Sequence, residues 1–231
     1  MKSKLKSIVI LLIIIVLCLS VGVYAGYTLS ATEVSYTKSD GTTISVKDAL
    51  DELHAKEKEI PKRVIGDIVL VGDELFYVLE WENNRDTVDL IAKYNLNSDG
   101  TAQSSSQVSC VFSSTNYWSS SFTSRPFNLN DFSGYKSTDV IGKAKSYGES
   151  KGAVASRLLS YEEASAIRIK SSSNAKIKNM YANGQKYWLG SADTKYRVYH
   201  ISETGSPGGA DYDYGKYGIR PVITVLKSSI Y

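Results

Sequence analysis

One stretch decides the fold class of this chain: Asp67-Ile68-Val69-Leu70-Val71-Gly72-Asp73-Glu74-Leu75-Phe76-Tyr77-Val78-Leu79-Glu80-Trp81. Two short runs rich in β-branched, aromatic and aliphatic residues flank a Gly-Asp-Glu turn signal, and this pattern is typical of a β-hairpin. Residues 87–94 carry the same kind of pattern and predict a third strand. The main part of the chain is therefore predicted to begin as a β-sheet.

Helix signals follow this sheet. Residues 95–135 are rich in Ser, Asn and Thr and are predicted to be mostly loop. One helix is predicted within residues 137–150, and a second follows Ser160, with Glu162 and Glu163 in its first turn. Strand patterns then return in residues 187–189, 196–201 and 219–226. Strands, then helices, then strands predict an α+β fold.

The start of the chain indicates a membrane segment. Eleven of the twelve residues 8–19 are Ile, Leu or Val, and residues 7–32 carry no charge. An uncharged, largely apolar stretch of about 20 residues is long enough to cross a bilayer core of about 30 Å. We predict a cytoplasmic basic tip at residues 1–7 and a transmembrane anchor at residues 8–27. The C-terminal part is expected outside the cell membrane, because lysines favour the cytoplasmic side.

A cleaved secretory signal is the alternative to this anchor. Val23-Tyr24-Ala25 before Gly26 has the small-residue pattern of a cleavage site. The apolar run exceeds the usual signal core of about 7–15 residues, which favours the anchor. Cleavage after Ala25 would leave a secreted protein.

Residues 28–63 are predicted to form a stalk with a short helix. The apolar residues Val46, Ala49, Leu50 and Leu53 recur at helical spacing after the turn signal Asp40-Gly41. At most two heptads are available for a short coiled-coil stalk that would form a homo-oligomer. The alternatives are a helix packed on the domain and a solvated spacer. Residues 31–36 and 46–53 together resemble a module of bacterial surface and phage tail-fibre-like proteins, which implies an exterior setting.

Charge and cysteine content restrict the function. Three of the 27 basic residues are lysines in residues 1–6, so the rest of the chain has 24 basic and 24 acidic residues. This balance predicts no nucleic-acid partner, since such proteins carry a basic patch. Cys18 lies in the apolar run, which leaves Cys110 without an intrachain partner outside the membrane. Cys110 is predicted to be a small buried residue on a strand, with a raised thiol pKa.

The sequence predicts neither a cofactor nor a metal site. Its only histidines are His54 and His200, and no cysteine pair has ligand spacing. Residues 95–100 look superficially like a calcium loop, but Ser106 stands where a bidentate Glu is required, so a glycine-containing turn is predicted. Motifs of a nucleophile elbow and of a phosphate loop are absent. These observations point away from an enzyme.

Three motifs carry a family resemblance: Arg157-Leu158-Leu159-Ser160-Tyr161-Glu162-Glu163-Ala164, Tyr187-Trp188-Leu189-Gly190-Ser191-Ala192 and Gly218-Ile219-Arg220-Pro221-Val222-Ile223. Together they resemble an uncharacterised family of bacterial exported domains related to the C-type-lectin-like fold, which includes formylglycine-generating-enzyme-like proteins. The resemblance implies that residues 64–231 form a C-type-lectin-like mixed domain with a few short helices. A transmembrane helix and a short helical stalk would precede this domain.

The functional motifs of these relatives do not carry over. The calcium-binding lectin motifs Glu-Pro-Asn, Gln-Pro-Asp and Trp-Asn-Asp are absent, and a catalytic cysteine pair is not available. The resemblance therefore implies a fold without calcium-dependent sugar binding or cysteine oxidation. Trp188 and Leu189 are predicted to pack in the core. Arg220 is predicted to pair with a buried acid or carbonyl, with a ligand role as the alternative.

Seventeen tyrosines suggest a recognition surface, because tyrosine supplies rigid, amphipathic contact area. Many of them surround residues 205–209, which are predicted to be a flexible loop, and another lies in the polar loop at residues 116–118. The candidate ligand-binding residues are Tyr117, Trp118, Tyr199, Asp211, Tyr212, Asp213, Tyr214 and Arg220. The alternative is that these rings only cover a shallow β core.

The sequence thus predicts a membrane-tethered extracytoplasmic surface module that binds a glycan, peptide or protein partner without catalysis. Its other predicted partner is the lipid bilayer, through residues 8–27. An envelope hydrolase with an unrecognised active site and a structural appendage component are the alternatives.

Overall fold

The computed structural model of the chain describes residues 34–58 and 62–230. These residues belong to two compact units, which divide after Pro61. The predicted cytoplasmic tip and transmembrane anchor, residues 1–27, lie outside the described residues. Among the helices that are described, none combines the length and apolar character needed to cross a bilayer.

The first unit is a small hairpin followed by a helix. Its elements are β1 (Ser35–Thr37), β2 (Thr43–Ser45) and α1 (Val46–Lys58). The helix lies where the sequence predicts a short helix, and Ser45 caps it by accepting a hydrogen bond from the Asp48 amide at 3.0 Å. The hairpin around Asp40-Gly41 was not predicted from the sequence. Val46 and Ala49 are buried while Leu50 is exposed, and a homo-oligomer through this helix stays a prediction.

A five-stranded antiparallel sheet organises the second unit. Its strands are β3 (Ile68–Val71), β4 (Glu74–Glu80), β5 (Thr87–Ala92), β7 (Ala155–Leu158) and β11 (Pro221–Leu226). The spatial order is β3-β4-β5-β11-β7, so the last strand of the chain lies inside the sheet. The hairpin predicted from residues 67–81 is confirmed, with Gly72 at a positive φ of 63° in its turn.

A four-stranded antiparallel sheet forms the other β layer. Its strands are β6 (Phe127–Asn128), β8 (Tyr187–Ala192), β9 (Arg197–Ile201) and β10 (Pro207–Asp211), in the order β10-β9-β8-β6. The prediction that residues 205–209 form a flexible loop is wrong, because residues 207–211 pair with β9. A Cβ on Gly208 would lie 3.0 Å from His200 Cε1, so glycine at this position allows the His200 ring to pack against β10.

Three helices complete the second unit: α2 (Val140–Ser150), α3 (Tyr161–Ser171) and α4 (Ala175–Ala182). The first two confirm the prediction. Ser160 and Glu163 form a reciprocal capping box, with the Glu163 amide donating to Ser160 Oγ at 3.1 Å. The sequence analysis missed α4, although Asn174 is a recognisable cap that accepts bonds from the Lys176 and Ile177 amides.

Two apolar clusters hold these layers together. Neighbouring residues of β8 serve different clusters, because side chains alternate between the faces of a strand. Trp188 packs in the cluster that includes Phe76 and Ile141, whereas Leu189 packs in the cluster that includes Met180. Both β8 side chains are fully buried, as predicted.

The described residues therefore form a mixed α+β protein with four helices and antiparallel sheets, which confirms the predicted fold class at this level. Residues 95–135 are mostly loop, as predicted, apart from the two-residue strand β6. The turn at residues 97–100 is also confirmed: Gly100 has a φ of 82°, and the Thr101 amide donates to Asn97 Oδ1 at 3.0 Å.

Candidate functional site

Three of the predicted site residues meet in one aromatic cluster. The ring centroids of Tyr117 and Trp118 are 5.1 Å apart, and those of Trp118 and Tyr212 are 5.8 Å apart. Trp118 is fully buried and donates from Nε1 to the Thr194 carbonyl at 3.2 Å. The structure thus joins two distant loops, but it does so through interior packing, with Tyr117 and Tyr212 half-buried.

Arg220 lies in the interior. Its Nε donates to the Ala92 carbonyl at 2.8 Å, which confirms the predicted pairing with a carbonyl. The guanidinium also lies 5.0 Å from the ring centroid of Tyr187, at a cation–π distance. The side chain is fully buried, so it does not form part of an accessible surface.

Asp213 and Tyr214 occupy an exposed turn after β10. Tyr214 is 43% exposed, and its ring centroid is 6.1 Å from that of Tyr217. The turn is accessible, but the ring partner of Tyr214 is Tyr217, which lies only three residues further along the chain.

A more organised surface lies where β9 meets the start of α3. Tyr199 of β9 stacks on Tyr161 of α3, with a centroid distance of 4.1 Å and an interplanar angle of 29°. Both rings are half-buried. Offset stacking of this kind stabilises two rings beyond their burial and holds them in a defined orientation.

Charged groups converge beside this stacked pair. Asp193, which follows β8, lies with Oδ1 3.6 Å from Nη1 of Arg125 and with Oδ2 3.5 Å from Nη1 of Arg197. The Asp193 side chain is only 11% exposed, whereas the Arg125 and Arg197 side chains are 72% and 46% exposed. We call the surface formed by Arg125, Tyr161, Asp193, Arg197 and Tyr199 the arginine–tyrosine face.

Gly209 of β10 provides the room for these charges. A Cβ at this position would lie 2.5 Å from Asp193 Oδ2, closer than non-bonded atoms approach. The Gly209 carbonyl accepts a hydrogen bond from Nη2 of Arg197. Burial, followed by a hydrogen bond to Asp193, raises the pKa of Tyr199 to about 12, so its hydroxyl remains a neutral donor at physiological pH.

Only Tyr199 of this face was predicted from the sequence; the candidate Asp211 lies at its border, 4.0 Å from Nε of Arg197. Arg125, Tyr161, Asp193 and Arg197 were missed. Asp193 and Arg197 are four residues apart and meet through the turn between β8 and β9, whereas Arg125 lies in a distant loop and Tyr161 begins α3. No sequence motif marks such a set, because only the sheet brings it together.

His200 does not form a catalytic pair. Its ring stacks on Tyr217 with a centroid distance of 3.8 Å, and its Nδ1 has no hydrogen-bond partner. Burial lowers the pKa of His200 to about 4, so the imidazole is neutral at physiological pH. The described residues also contain no group of three His, Cys, Asp or Glu side chains able to hold a metal ion.

A separate cleft of about 280 Å³ lies between the turn at residues 99–101 and α2. Its walls include Thr101, Ser146 and Lys143, and Lys143 Nζ donates to the Ser98 carbonyl at 2.7 Å. The ammonium group of Lys143 is therefore already bonded to the backbone. It contains none of the predicted site residues.

Alkylation of Cys110 is expected to be slow at pH 8. Burial raises the pKa of this thiol to about 11, so the reactive thiolate is scarce at neutral pH. We expect iodoacetamide to modify Cys110 about a hundredfold more slowly at pH 8 than a free thiol with a pKa of about 8.5. Peptide mass spectrometry, which separates Cys110 from Cys18, would measure the rate. A rate that levels off near pH 9, instead of rising about tenfold per pH unit, would contradict the raised pKa.

Comparison with known proteins gives no match: no family model, no curated protein and no solved structure matches this chain. The chemistry of the arginine–tyrosine face is therefore derived from its own residues.

Proposed function

We propose that this chain is a membrane-tethered extracytoplasmic surface module that binds a glycan, without catalysis, through the arginine–tyrosine face. The observation that carries this proposal is the stacked pair Tyr161–Tyr199 beside the exposed guanidinium groups of Arg125 and Arg197. The apolar segment at residues 8–27 supports the tether.

We also propose that residues 64–231 adopt a C-type-lectin-like fold. The two antiparallel sheets, the few short helices and the long loop section at residues 95–135 support this assignment. The motifs at residues 187–192 and 218–223 supply the buried strand β8 and the start of the interior strand β11, which is the structural role expected of them.

A glycan suits this face because a sugar ring combines two kinds of surface. Its C–H groups match the apolar face of an aromatic ring, and its hydroxyl groups match side chains that donate hydrogen bonds. Tyr161 and Tyr199 provide the ring surface, and their stacking reduces the entropy lost when a ligand orders them. The two arginines provide planar sets of N–H donors at the edge of the rings.

An envelope hydrolase has less support. A general base must reach the proton that it removes, and His200 is packed between rings with an unpartnered Nδ1. Asp193 faces two arginines and lies mostly buried, so it is placed to orient cations and not to protonate a leaving group. His200 and Asp193 are therefore committed to packing and to ion pairing, respectively.

The Tyr161→Ala substitution is expected to weaken glycan binding about tenfold, because it removes an aromatic contact surface worth roughly 1 kcal/mol or more. The matched control is Tyr214→Ala, which removes an exposed tyrosine from the turn after β10 and should leave binding unchanged. Retention of the full-length chain on immobilised cell-envelope glycans, together with the melting temperature of each variant, would measure the effect.

Failure of the wild-type chain to bind any envelope glycan would refute the binding function. Loss of binding in Tyr214→Ala with normal binding in Tyr161→Ala would instead move the site to the turn at residues 212–214. Equal melting temperatures in the two variants are needed to assign a loss to recognition.

A further inference from the structure

Arg125 and Arg197 carry more hydrogen-bond donors than Asp193 uses. Their distances to Asp193, 3.6 Å and 3.5 Å, are longer than the roughly 2.7–2.9 Å of a charge-assisted hydrogen bond. Each guanidinium has five N–H donors in a planar arrangement. Most of the donors of Arg125 are therefore directed to solvent, and Arg197 uses one further donor on the Gly209 carbonyl.

We propose that Arg125 and Arg197 form a clamp for the carboxylate or phosphate groups of an anionic glycan, with Asp193 as the buried residue that positions both guanidinium groups. This inference rests on the binding function proposed above and names the chemical class of the glycan. The accessible charged groups at the centre of the arginine–tyrosine face are donors only, because the acceptor Asp193 lies mostly beneath them. A ligand that fits must therefore supply acceptors.

The local charge also favours an anion. Two positive side chains face one buried negative side chain, which leaves an excess of one positive charge at the surface. Asp211, at the border of the face and 4.0 Å from Nε of Arg197, offsets part of this charge, but its carboxylate is 70% exposed and is screened by water and salt more than the buried Asp193. Arginine binds carboxylate and phosphate groups through two parallel hydrogen bonds, so two arginines can grip one anionic group or two adjacent ones.

The position of the clamp is held by the sheet. Asp193 directly follows β8, and the absence of a side chain at Gly209 leaves space for its carboxylate. Arg197 is the first residue of β9, where it pairs with Asp211 of β10, and its carbonyl accepts a hydrogen bond from the Asp193 amide at 2.9 Å. A preorganised pair of donors loses less entropy on binding than two free side chains.

The test compares an anionic polymer with a neutral one on the full-length chain. The probes are polygalacturonate, which carries carboxylates, poly(glycerol phosphate), which carries phosphates, and dextran, which carries neither. We expect an anionic polymer to bind and dextran not to bind. Arg125→Gln and Arg197→Gln should each weaken that binding about tenfold, and 0.5 M salt should weaken it further by screening.

The matched control is Arg85→Gln. Arg85 is similarly exposed and makes a comparable loose ion pair with Glu80 at 3.5 Å, but it lies next to β4 in the other sheet. Equal binding by Arg85→Gln and the wild type would confirm that the losses at the other two arginines are local. The ratio of affinities for the two charged polymers tells carboxylate from phosphate recognition.

Two results would overturn the clamp. In the first, dextran and the charged polymers bind equally well and neither arginine substitution changes the binding. Glycan binding would then stand, but the preference for an anionic glycan would be refuted. Retention on envelope glycans without binding to either charged polymer would have the same consequence. Absence of retention on every glycan would instead refute the proposed function itself, and the clamp with it.

Discussion

The Gly190→Ala substitution is expected to lower the free energy of unfolding by about 3–5 kcal/mol. A Cβ on Gly190 would lie 2.2 Å from Nδ2 of Asn130, so the Asn130 side chain must move. That side chain bonds both backbone groups of Leu158, accepting from its amide at 2.9 Å and donating to its carbonyl at 3.0 Å. Overpacking contributes about 1–3 kcal/mol, and a buried backbone group left without a partner costs about 1–3 kcal/mol more.

Urea denaturation followed by tryptophan fluorescence would measure this change. All three tryptophans, Trp81, Trp118 and Trp188, lie in the second unit, so the signal reports its unfolding. The control is Gly215→Ala, where the nearest atom to a new Cβ is 3.6 Å away, and its effect should be within about 0.5 kcal/mol of zero.

A double-mutant cycle tests the mechanism directly. Asn130→Ala alone should be destabilising, because the Leu158 amide loses its acceptor and the Leu158 carbonyl keeps only the longer bond from Arg157 at 3.3 Å. With Asn130 already truncated, Gly190→Ala should cost at least about 1 kcal/mol less than it does alone, since the clash has gone. Strictly additive effects would show that Asn130 is not the residue displaced.

The Arg220→Met substitution is expected to destabilise the second unit by about 3 kcal/mol. The guanidinium donates to the carbonyls of Ala92, Tyr181 and Lys93 at 2.8, 3.4 and 3.5 Å. Methionine fills a similar volume but donates no hydrogen bond, so the buried Ala92 carbonyl loses this donor at a cost of about 1–3 kcal/mol. The cation–π contact with Tyr187 adds up to about 2 kcal/mol in a desolvated site.

One term opposes this loss. Burial of a charge without a carboxylate partner is unfavourable. The same desolvation of the charged guanidinium lowers the pKa of Arg220. The Tyr181 carbonyl keeps a hydrogen bond from the Tyr187 hydroxyl, and the Lys93 carbonyl keeps one from the Asn183 side-chain amide. The net loss therefore comes from the Ala92 bond and the cation–π contact. Arg220→Lys, which keeps the charge and loses the planar fork, should fall between the wild type and Arg220→Met in thermal unfolding. Equal stability of Arg220→Met and the wild type would show that the two terms cancel.

The glycines of the motifs at residues 187–192 and 218–223 show which part of the packing could be predicted from the sequence and which part could not. Gly190 and Gly218 are visible in the sequence as glycines within strand patterns, and such glycines suggest a close approach of another group. The groups that approach are Asn130 and Asn95, whose Nδ2 atoms lie 2.2 and 2.1 Å from the ideal Cβ positions. Neither asparagine could be paired with its glycine in advance, because residues 95–135 lack a regular pattern.

At strand β10 the sequence-based prediction is wrong because local propensity is misleading. Its sequence, Pro-Gly-Gly-Ala-Asp, has a low strand propensity and indicates a loop. The structure pairs all five residues with β9, and the glycines are required because His200 and the Asp193–Arg197 pair lie against them. Tertiary context therefore outweighs local propensity at this strand. The strand matters for the arginine–tyrosine face, because Gly209 leaves space for Asp193 and the Gly209 carbonyl accepts a hydrogen bond from Arg197.

Local and periodic features were determined by the sequence alone: the hairpin at residues 67–81, the helices begun by Ser45 and Ser160, and the burial of Trp188 and Leu189. These features depend on residues close in the chain, through hydrogen bonds within one turn and through alternation along one strand. The candidate site was decided only by the tertiary structure. Arg125, Tyr161 and Asp193 come from separate segments, and nothing but the packing of α3 and the β6–β8 edge against the β9–β10 hairpin brings their side chains within reach of one another.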